Sequence, residues 1–534
     1  MVMLQRQQHM ADALDVATRS FNINSKLGPK LKAAAEQNAI LRIGWTNAGD
    51  PVPKNGELGL CPGLPIGAKV RALGKLGSWT AAFGNGGTFT IQGDVESYLG
   101  AGNDGNTITC ERSAGNYAGY GMKSGEISIL DGCGNDLGSQ MEGGLIFVRG
   151  NAGQRVGGGM KDGVIVIDGD IGNDPGAGMS GGLIIINGRC PNPPEGVTLR
   201  PVTKAELTKI NKKLDGNNFQ IPNDSVCLES TSQKDDLTPT SVVSSGDMST
   251  IGLVPTDTPH KMNYITCDTV ALIGERGETN TPIALPLPIM PLISDGEILS
   301  NFEHKNGLDN RIDTQPFIVS NNPRIIDFAL VSISNLNFIG PSLSECGGLV
   351  IDMLGLPSMN SEEIDGMLVA LRSLLGQEKP FAFSNGVGRI DYLHKTSAYH
   401  RADLAICSIE DGTGISEPAS LVLIGRSNKA NLEDYYTDSV ISLGFSVNAD
   451  DIVKFCAAGL KLVCCATPAE DGPEINRWLN EIHLELSTTL QRIGLESIDS
   501  LSRQNLRALD FETAAVSGLR LVGYERPLPH WFAR

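Results

Sequence analysis

Two glycine-rich loops in the second half of the chain carry the residues best suited to chemistry. Residues 384–388 (Ser-Asn-Gly-Val-Gly) follow a predicted strand at 381–383, and residues 410–416 (Glu-Asp-Gly-Thr-Gly-Ile-Ser) follow one at 404–408. Backbone amides in such loops, leading towards a helix N-terminus, can cradle a phosphate or a carboxylate. A tight strand-to-helix turn without a ligand explains the same glycines. The candidate cofactor-binding residues in these loops are Gly386, Gly388, Gly412, Thr413 and Gly414.

The second loop also contains acidic side chains. Glu410 and Asp411 oppose an anion, so we predict that they bind a cation or the amine of a ligand, together with Ser416. A third candidate place is Gly444, which follows a predicted strand at 439–443 and precedes a predicted helix and Gly459. In eight-stranded β/α barrels a late strand, a glycine turn and a short helix often hold a phosphate. An ordinary turn is the alternative here too.

Other kinds of site find little support in the sequence. No G-x-S-x-G elbow is present, and no P-loop or dinucleotide fingerprint occurs in a strand-to-helix context, so no catalytic residue is assigned. The eleven cysteines are scattered without a C-x-x-C pair, which indicates reduced thiols and no iron–sulfur cluster or zinc site. His394 and His400 are six residues apart, which is not a same-face helical spacing. We therefore predict no metal.

A repeat of nineteen residues organises the first half of the chain. Its clearest markers are four methionines with no gap or insertion between the repeats: Met122, Met141, Met160 and Met179. Each repeat has a short run of alternating aliphatic residues bounded by glycines, as in Ile146 and Val148 between Gly144 and Gly150. A fixed period of this kind predicts stacked coils. The predicted fold class is mixed: a right-handed parallel β-helix with 19-residue repeats, followed by an α/β domain.

The outward positions of the predicted strands change character along the stack. In the early coils they are polar, whereas in the last three they are apolar: Leu145, Phe147, Val164, Val166, Leu183 and Ile185. An apolar outer face is usually covered. The following helix, the second domain or another subunit would each serve, and we expect the α/β half to dock there.

Composition and texture divide the chain into four parts. Residues 1–63 form a helical entry region, 64–222 the β-helix with a trailing helix, 223–262 a linker or wrapping arm, and 263–534 an α/β domain with a helical tail.

The net charge of −18 argues against nucleic acid or an anionic membrane as a partner. No apolar run of signal-peptide or membrane-span type is present, so we expect a cytoplasmic protein.

The α/β half alternates predicted strands and helices, which indicates parallel βαβ units in a barrel or an open doubly wound sheet. Six or seven strands suit an incomplete eight-stranded barrel. The predicted strands are 270–273, 325–331, 348–351, 381–383, 404–408, 439–443 and 462–465, and the predicted helices are 361–375, 387–400, 450–458 and 473–493.

The repeat and the loops together resemble glutamate synthase-related proteins. The pattern G-x-x-M-x-x-G, at 138–144, 157–163 and 176–182, looks like the GXGXG domain of the glutamate synthase large subunit and of one of the subunits of formylmethanofuran dehydrogenase. Residues 287–290 resemble the first strand of the synthase flavin domain, and residues 386–388, 411–414 and 451–454 follow the order and spacing of that domain. Residues 506–518 resemble the tail of stand-alone synthase-like proteins. The resemblance implies transfer of glutamine-derived ammonia to 2-oxoglutarate by reduced FMN.

The chain departs from the family pattern where chemistry is expected. Ser344 and Pro380 stand where the family has lysines, Asp411 replaces a loop glycine, and Phe445 replaces a phosphate-turn glycine. The cysteines for an iron–sulfur cluster and an N-terminal cysteine glutaminase are missing. These departures favour a subunit of nitrogen and amino-acid metabolism with an eroded or altered flavin site, and partners that are glutaminase-like or synthase-like subunits or further copies of the chain. The alternatives are an active FMN-dependent amidotransferase or oxidoreductase component, and a β-helix scaffold of a formylmethanofuran-dehydrogenase-like complex.

Overall fold

A computed structural model describes most of the chain as two compact units. The described residues are 2–44, 56–214, 216, 218–231, 267–274, 277, 282–300, 309–332, 335–336, 340, 343–411, 415–433 and 435–524, with the backbone alone for 2–15. Unit 1 contains Met1–Thr238, Ser334–Ser344 and Ser358–Gln377, and unit 2 contains the remainder. None of the described helices is both long and apolar enough to cross a membrane.

Unit 1 is built on a ten-stranded sheet. Strands β1 to β8 are parallel neighbours in chain order, and β10 joins β8 and β9 by antiparallel pairing. The strands are β1 Ile40–Ile43, β2 Lys69–Leu73, β3 Thr88–Gln92, β4 Asp104–Cys110, β5 Ser124–Ile129, β6 Leu145–Val148, β7 Val164–Ile167, β8 Leu183–Ile186, β9 Val197–Pro201 and β10 Val226–Ser230. The helices are α1 Val2–Glu36 and α2 Lys204–Leu214. Strand β10 falls inside the stretch predicted as a linker, and the residues after 231 in that stretch lie outside the described residues.

The nineteen-residue repeat appears as a pairing register. Ile127 pairs with Ile146, Ile146 with Ile165, and Ile165 with Ile184, each in parallel. A second row of parallel bridges runs from Glu57 through Ile171 at the same spacing. The inward aliphatic residues form one buried core, and the four marker methionines belong to it as well.

The repeat glycines have a specific steric role. A Cβ added at Gly144 would lie 2.5 Å from the Cε of Met122, and one at Gly182 would lie 2.5 Å from the Cε of Met160. Both glycines have positive φ, at 91° and 84°. A methionine methyl group therefore fills the space that a glycine of the next repeat leaves open. This contact explains why methionine and glycine recur together in the pattern G-x-x-M-x-x-G.

At one position of the nineteen-residue repeat, residues other than glycine adopt positive φ, and they lie above one another in a column. Trp79, Tyr98 and Tyr117 have φ of 62°, 64° and 57°. Their rings stack with centroids 4.6 and 4.9 Å apart. In the next coils the column continues as Asp136 and Arg155, joined by a hydrogen bond of 2.8 Å from Arg155 Nε to Asp136 Oδ1. Stacking and ion pairing between coils offset the strain of the left-handed backbone.

The apolar outer face of the last coils is covered from within unit 1. Leu145, Phe147, Val166 and Ile185 form one buried cluster with Leu207, Ile210 and Leu214 of α2. The expectation that the α/β half covers this face was wrong, and the following helix is the cover. The reason is proximity: α2 comes soon after β8 and has an apolar stripe at the spacing of three and four residues that suits the flat face.

Unit 2 contains a closed barrel of eight parallel strands. The strands are β12 Ile289–Asp295, β13 Ile318–Asn321, β14 Phe328–Val331, β15 Gly348–Asp352, β16 Phe381–Gly386, β17 Leu404–Ser408, β18 Asp438–Ser442 and β19 Val463–Ala466. The prediction of an incomplete barrel was therefore wrong. The strand pattern missed β13, which has four residues, and left out β12, which contains Pro291 and follows two further prolines.

The stretch predicted as the first strand of the α/β half lies outside the barrel. It forms β11 Val270–Leu272, which pairs antiparallel with β20 Leu506–Ala508 in a separate two-stranded sheet. Short apolar runs do not reveal their partners, because pairing depends on distant parts of the chain.

The remaining helices mostly follow the predicted order. They are α3 Glu297–Ser300, α4 Ser361–Leu375, α5 Ile390–His400, α6 Glu417–Asn431, α7 Ala449–Ala457, α8 Gly472–Arg492 and α9 Phe511–Ser517. Helix α4 connects β15 to β16 along the chain but belongs to unit 1. Helix α6 was not predicted, because its apolar residues are not concentrated on one side.

Truncation of the isoleucine ladder tests the packing of unit 1. Ile165 is fully buried in the core between its neighbours on β6 and β8. We expect Ile165→Ala to lower the free energy of unfolding by about 2–5 kcal/mol and Ile165→Val by about 0.5–1.5 kcal/mol, because each leaves a cavity of different size. Urea unfolding monitored by circular dichroism measures both. Equal, negligible effects of the two substitutions would contradict a tightly packed ladder.

Candidate functional site

The inward side chains at the carboxyl ends of the barrel strands form a polar layer, which we call the barrel mouth. Pairing places Asp352 beside Ser384 and Ser408 beside Ser442. Directly beneath lies the apolar interior of the barrel, with Val350, Ala382, Ile406 and Val440. The polar residues of the mouth are all partly buried: Ser320, Ser332, Asp352, Ser384, Ser408 and Ser442.

Asp352 is the one carboxyl group in this layer. Its Oδ1 accepts a hydrogen bond of 3.1 Å from the N–H of Leu354. Burial raises the pKa of Asp352 above its ordinary value, and the Leu354 N–H opposes that shift only in part. A carboxyl group with a raised pKa can exchange a proton with a bound molecule, and the surrounding hydroxyls can both donate and accept hydrogen bonds.

The first predicted anion cradle is filled by a side chain of the protein. The Oδ2 of Asp411 accepts a hydrogen bond of 2.8 Å from the N–H of Gly388. An added Cβ at Gly386 would lie 2.5 Å from the same Oδ2. Gly386 thus makes room for Asp411, and the Gly388 amide that was predicted to bind a ligand's anion already binds a carboxylate.

The turn after β18 is also filled by a carboxylate side chain of the protein. An added Cβ at Gly444 would lie 2.7 Å from the Cδ of Glu410. The helix that follows, α7, begins with a capping box, in which Asn448 Oδ1 accepts a hydrogen bond of 2.9 Å from the N–H of Asp451. Asp450 and Asp451 stand in its first turn. The positive end of this helix dipole is therefore complemented by the chain's own carboxylates.

The other candidate residues lie in different places. Ser416 is buried at the N-cap of α6, where its carbonyl oxygen accepts from the N–H of Ser420 at 2.9 Å. Gly459, with φ of 104°, follows the C-terminus of α7 and leads into the start of β19, so it lies at the end of the barrel opposite the mouth. Gly412, Thr413 and Gly414 lie outside the described residues.

The structure brings together Asp411 with Gly386 and Gly388, and Glu410 with Gly444, but as contacts of the protein with itself. These residues do not fit the phosphate of FMN, because carboxylates hold the amide and the space that it would use. Across the described ranges, no three His, Cys, Asp or Glu side chains are grouped so as to hold a metal ion.

The serine layer was missed by the sequence analysis, although its signal was present. Each of Ser384, Ser408 and Ser442 stands two residues after an inward apolar residue, within the last three residues of its strand. Alternation along parallel strands puts all such residues on one level of a barrel. The register between strands, which decides whether the levels match, could not be obtained from the sequence.

In comparisons with known proteins, the repeat region matches a family model, and the matches to solved structures have low sequence identity. Residues 62–216 match the family model of the GXGXG motif. A search of curated proteins finds no match. Among solved structures, the flavin-binding domain of baker's yeast flavocytochrome b2 aligns at 12% identity over 49% of this chain and 80% of that chain, with a TM-score of 0.35. The monotopic membrane protein (S)-mandelate dehydrogenase aligns at 12% identity over 45% and 88%, with a TM-score of 0.31. These scores are too low to support an argument.

The raised pKa of Asp352 predicts how stability depends on pH. The folded chain holds this proton more tightly than the unfolded chain, so the ionised carboxylate costs stability above its folded pKa, and the cost disappears below the unfolded value of 3.8. We expect Asp352→Asn, which keeps the acceptor for Leu354, to raise the thermal midpoint at pH 7. The difference should shrink steadily on acidification. A pH-independent difference, or a variant less stable at pH 7, would contradict this account.

Proposed function

We propose that this chain is a glutamate synthase-related protein of nitrogen and amino-acid metabolism whose barrel carries an altered site that does not bind flavin. The match of residues 62–216 to the GXGXG motif and the order of the barrel loops support the relationship. The observation that carries the altered site is the hydrogen bond from the Gly388 N–H to Asp411.

Charge repulsion between these carboxylates and a flavin phosphate supports the altered site. A flavin phosphate has up to two negative charges, and at the strand ends it would meet Asp411 on the Gly388 amide, Glu410 over Gly444 and Asp451 at the start of α7. Two like charges about 4 Å apart repel by roughly 4 kcal/mol at an effective dielectric constant near 20. Binding would have to overcome more than one such term and also displace a hydrogen bond.

Within this proposal the chain acts as a subunit. Its partners are glutaminase-like or synthase-like chains, or further copies of itself. We also propose that the sheet of unit 1 is one face of a right-handed parallel β-helix, since the second row of bridges repeats the register of the strands at nineteen residues. A stack of this kind offers a rigid surface to a partner.

Two other functions have a specific observation in their favour. An active FMN-dependent amidotransferase or oxidoreductase component would have a use for Asp352, whose raised pKa suits proton transfer. A scaffold within a formylmethanofuran-dehydrogenase-like complex would need only the GXGXG part, which is the only part that the family model covers.

Flavin content distinguishes the proposal from the active flavoenzyme. We expect the purified full-length chain to be colourless, to release no flavin into the supernatant on denaturation, and to leave the fluorescence of added FMN unchanged. The double variant Glu410→Ala/Asp411→Gly removes the carboxylates from both turns and frees the Gly388 amide. We expect it to bind FMN at least about tenfold better than the parent chain, because the repulsion between these carboxylates and the phosphate is removed.

The matched control is Asp411→Asn, which keeps the shape and one acceptor oxygen but removes the charge. We expect weak or no FMN binding, because the amide stays occupied. A yellow parent chain with stoichiometric flavin would overturn the altered site in favour of the active enzyme. Native mass measurement on the complex from its source addresses the subunit role, which a free monomer would contradict.

A further inference from the structure

We propose that unit 2 has a binding site for a phosphate monoester with an apolar body, formed by Arg503, Arg507 and Arg520 and the cleft beside them. Its lining residues differ from those of the barrel loops described above, and the site does not depend on the function proposed above. Its three arginines belong to the short segment that includes β20 and α9.

Two of the arginines are held in position by backbone carbonyl oxygens and not by carboxylates. Arg503 donates from its terminal nitrogen to the carbonyl of Ser517 at 2.6 Å. Arg507 donates from one terminal nitrogen to the carbonyls of Gln504 and Leu506, at 2.9 and 2.7 Å. None of the ion pairs found among the described residues involves these three arginines. A guanidinium has five N–H donors, so most of the donors remain for a ligand.

The charge arrangement is unusual for this protein. The chain carries a net charge of −18, and most arginines that the structure pairs, such as Arg155 and Arg200, contact carboxylates. Three arginines line one open pocket whose described lining contains no acidic residue, so they give a local positive potential that attracts an anion.

An apolar cleft adjoins the arginine pocket. The two depressions share Arg503, Leu506 and Leu519. The cleft itself is small, with a volume of about 40 Å³. The adjoining arginine pocket has about 480 Å³, which is in the range of small-molecule sites. Its apolar wall is formed by Val270, Pro418, Leu421, Val422, Leu506 and Leu519.

A second cation stands at the cleft. Lys454 lines it, donates to the carbonyl of Cys267 at 2.8 Å and interacts electrostatically with the carboxylate of Asp451. The combination of a wall of aliphatic side chains with fixed cations at one edge suits a molecule with an apolar body and an anionic head. We assign the head to a phosphate, because three guanidinium groups match a dianion with three terminal oxygens better than a single carboxylate.

The probe for this site is 1-naphthyl phosphate, added to the full-length chain and followed by its fluorescence. We expect saturable binding of one molecule per chain that weakens with salt. Inorganic phosphate should compete at higher concentration, and 1-naphthol should bind at least about tenfold more weakly, since it lacks the head group. Absence of saturable binding, or equal affinity for 1-naphthol, would overturn the proposal.

Substitutions locate the site. Arg507→Gln and Arg520→Gln should each weaken binding by about tenfold or more, since each removes charge-assisted hydrogen bonds. Arg71→Gln, at an exposed residue of β2 in unit 1, changes the net charge equally and should leave the affinity unchanged. Equal losses in all three variants would reduce the effect to overall charge and sink the proposal.

A substitution that fills the apolar cleft tests whether the cleft holds the apolar body of the ligand. Val422→Trp places a large ring in the apolar cleft that Val422 lines. We expect it to weaken 1-naphthyl phosphate by at least about tenfold while inorganic phosphate competes as before, because the arginine pocket is untouched. Unchanged affinity for the naphthyl ester would show that the cleft does not hold the apolar body. Circular dichroism spectra and thermal midpoints confirm that each variant is folded.

Discussion

The contact between a methionine methyl group and a glycine of the next coil is the constraint on which unit 1 depends. Met122 and Met160 reach into the space above Gly144 and Gly182, where a Cβ would lie 2.5 Å away. The glycine also allows the positive φ that turns the chain into the following strand. Because the same contact recurs every nineteen residues, it keeps the strands in register, and the isoleucine ladder and the stacked aromatic column follow from that register.

The same relation between a glycine and a neighbouring side chain decides how the barrel loops work. Gly386 leaves room for Asp411, and Gly444 leaves room for Glu410. A glycine in a loop shows that something approaches the backbone closely, but it does not show whether that is a ligand or part of the chain. Here the approaching groups are carboxylates, so the loops that looked like anion cradles are closed by negative charge.

Local patterns predicted much of the fold, and long-range pairing accounts for the errors. The nineteen-residue repeat gave the strands β2 to β8, and the amphipathic stripes gave α2, α4 and α8, because these signals lie within one element. Closure of the barrel depends on β12 and β13, which are proline-containing or short. The strand pattern left out both, and only the family resemblance of residues 287–290 indicated β12. The layer of five serines and Asp352 forms only because the pairing register of six strands brings these residues to the same height in the barrel. The positive φ of Trp79 and Tyr98 has no sequence signature, since neither residue favours that backbone.

In unit 2, the carboxylates at the barrel mouth and the three arginines beside β20 line different places, and this local distribution matters more than the net charge. Carboxylates collect at the carboxyl ends of the barrel strands, where Asp352, Glu410 and Asp411 stand. Arg503, Arg507 and Arg520 line a pocket beside β20. In salt solution a charged ligand responds to the groups within about 8–10 Å and hardly to the remainder. A net charge of −18 therefore does not prevent the chain from binding an anion. An anion needs a place whose nearest side chains are cationic, and the pocket lined by the three arginines meets that condition whereas the barrel mouth does not.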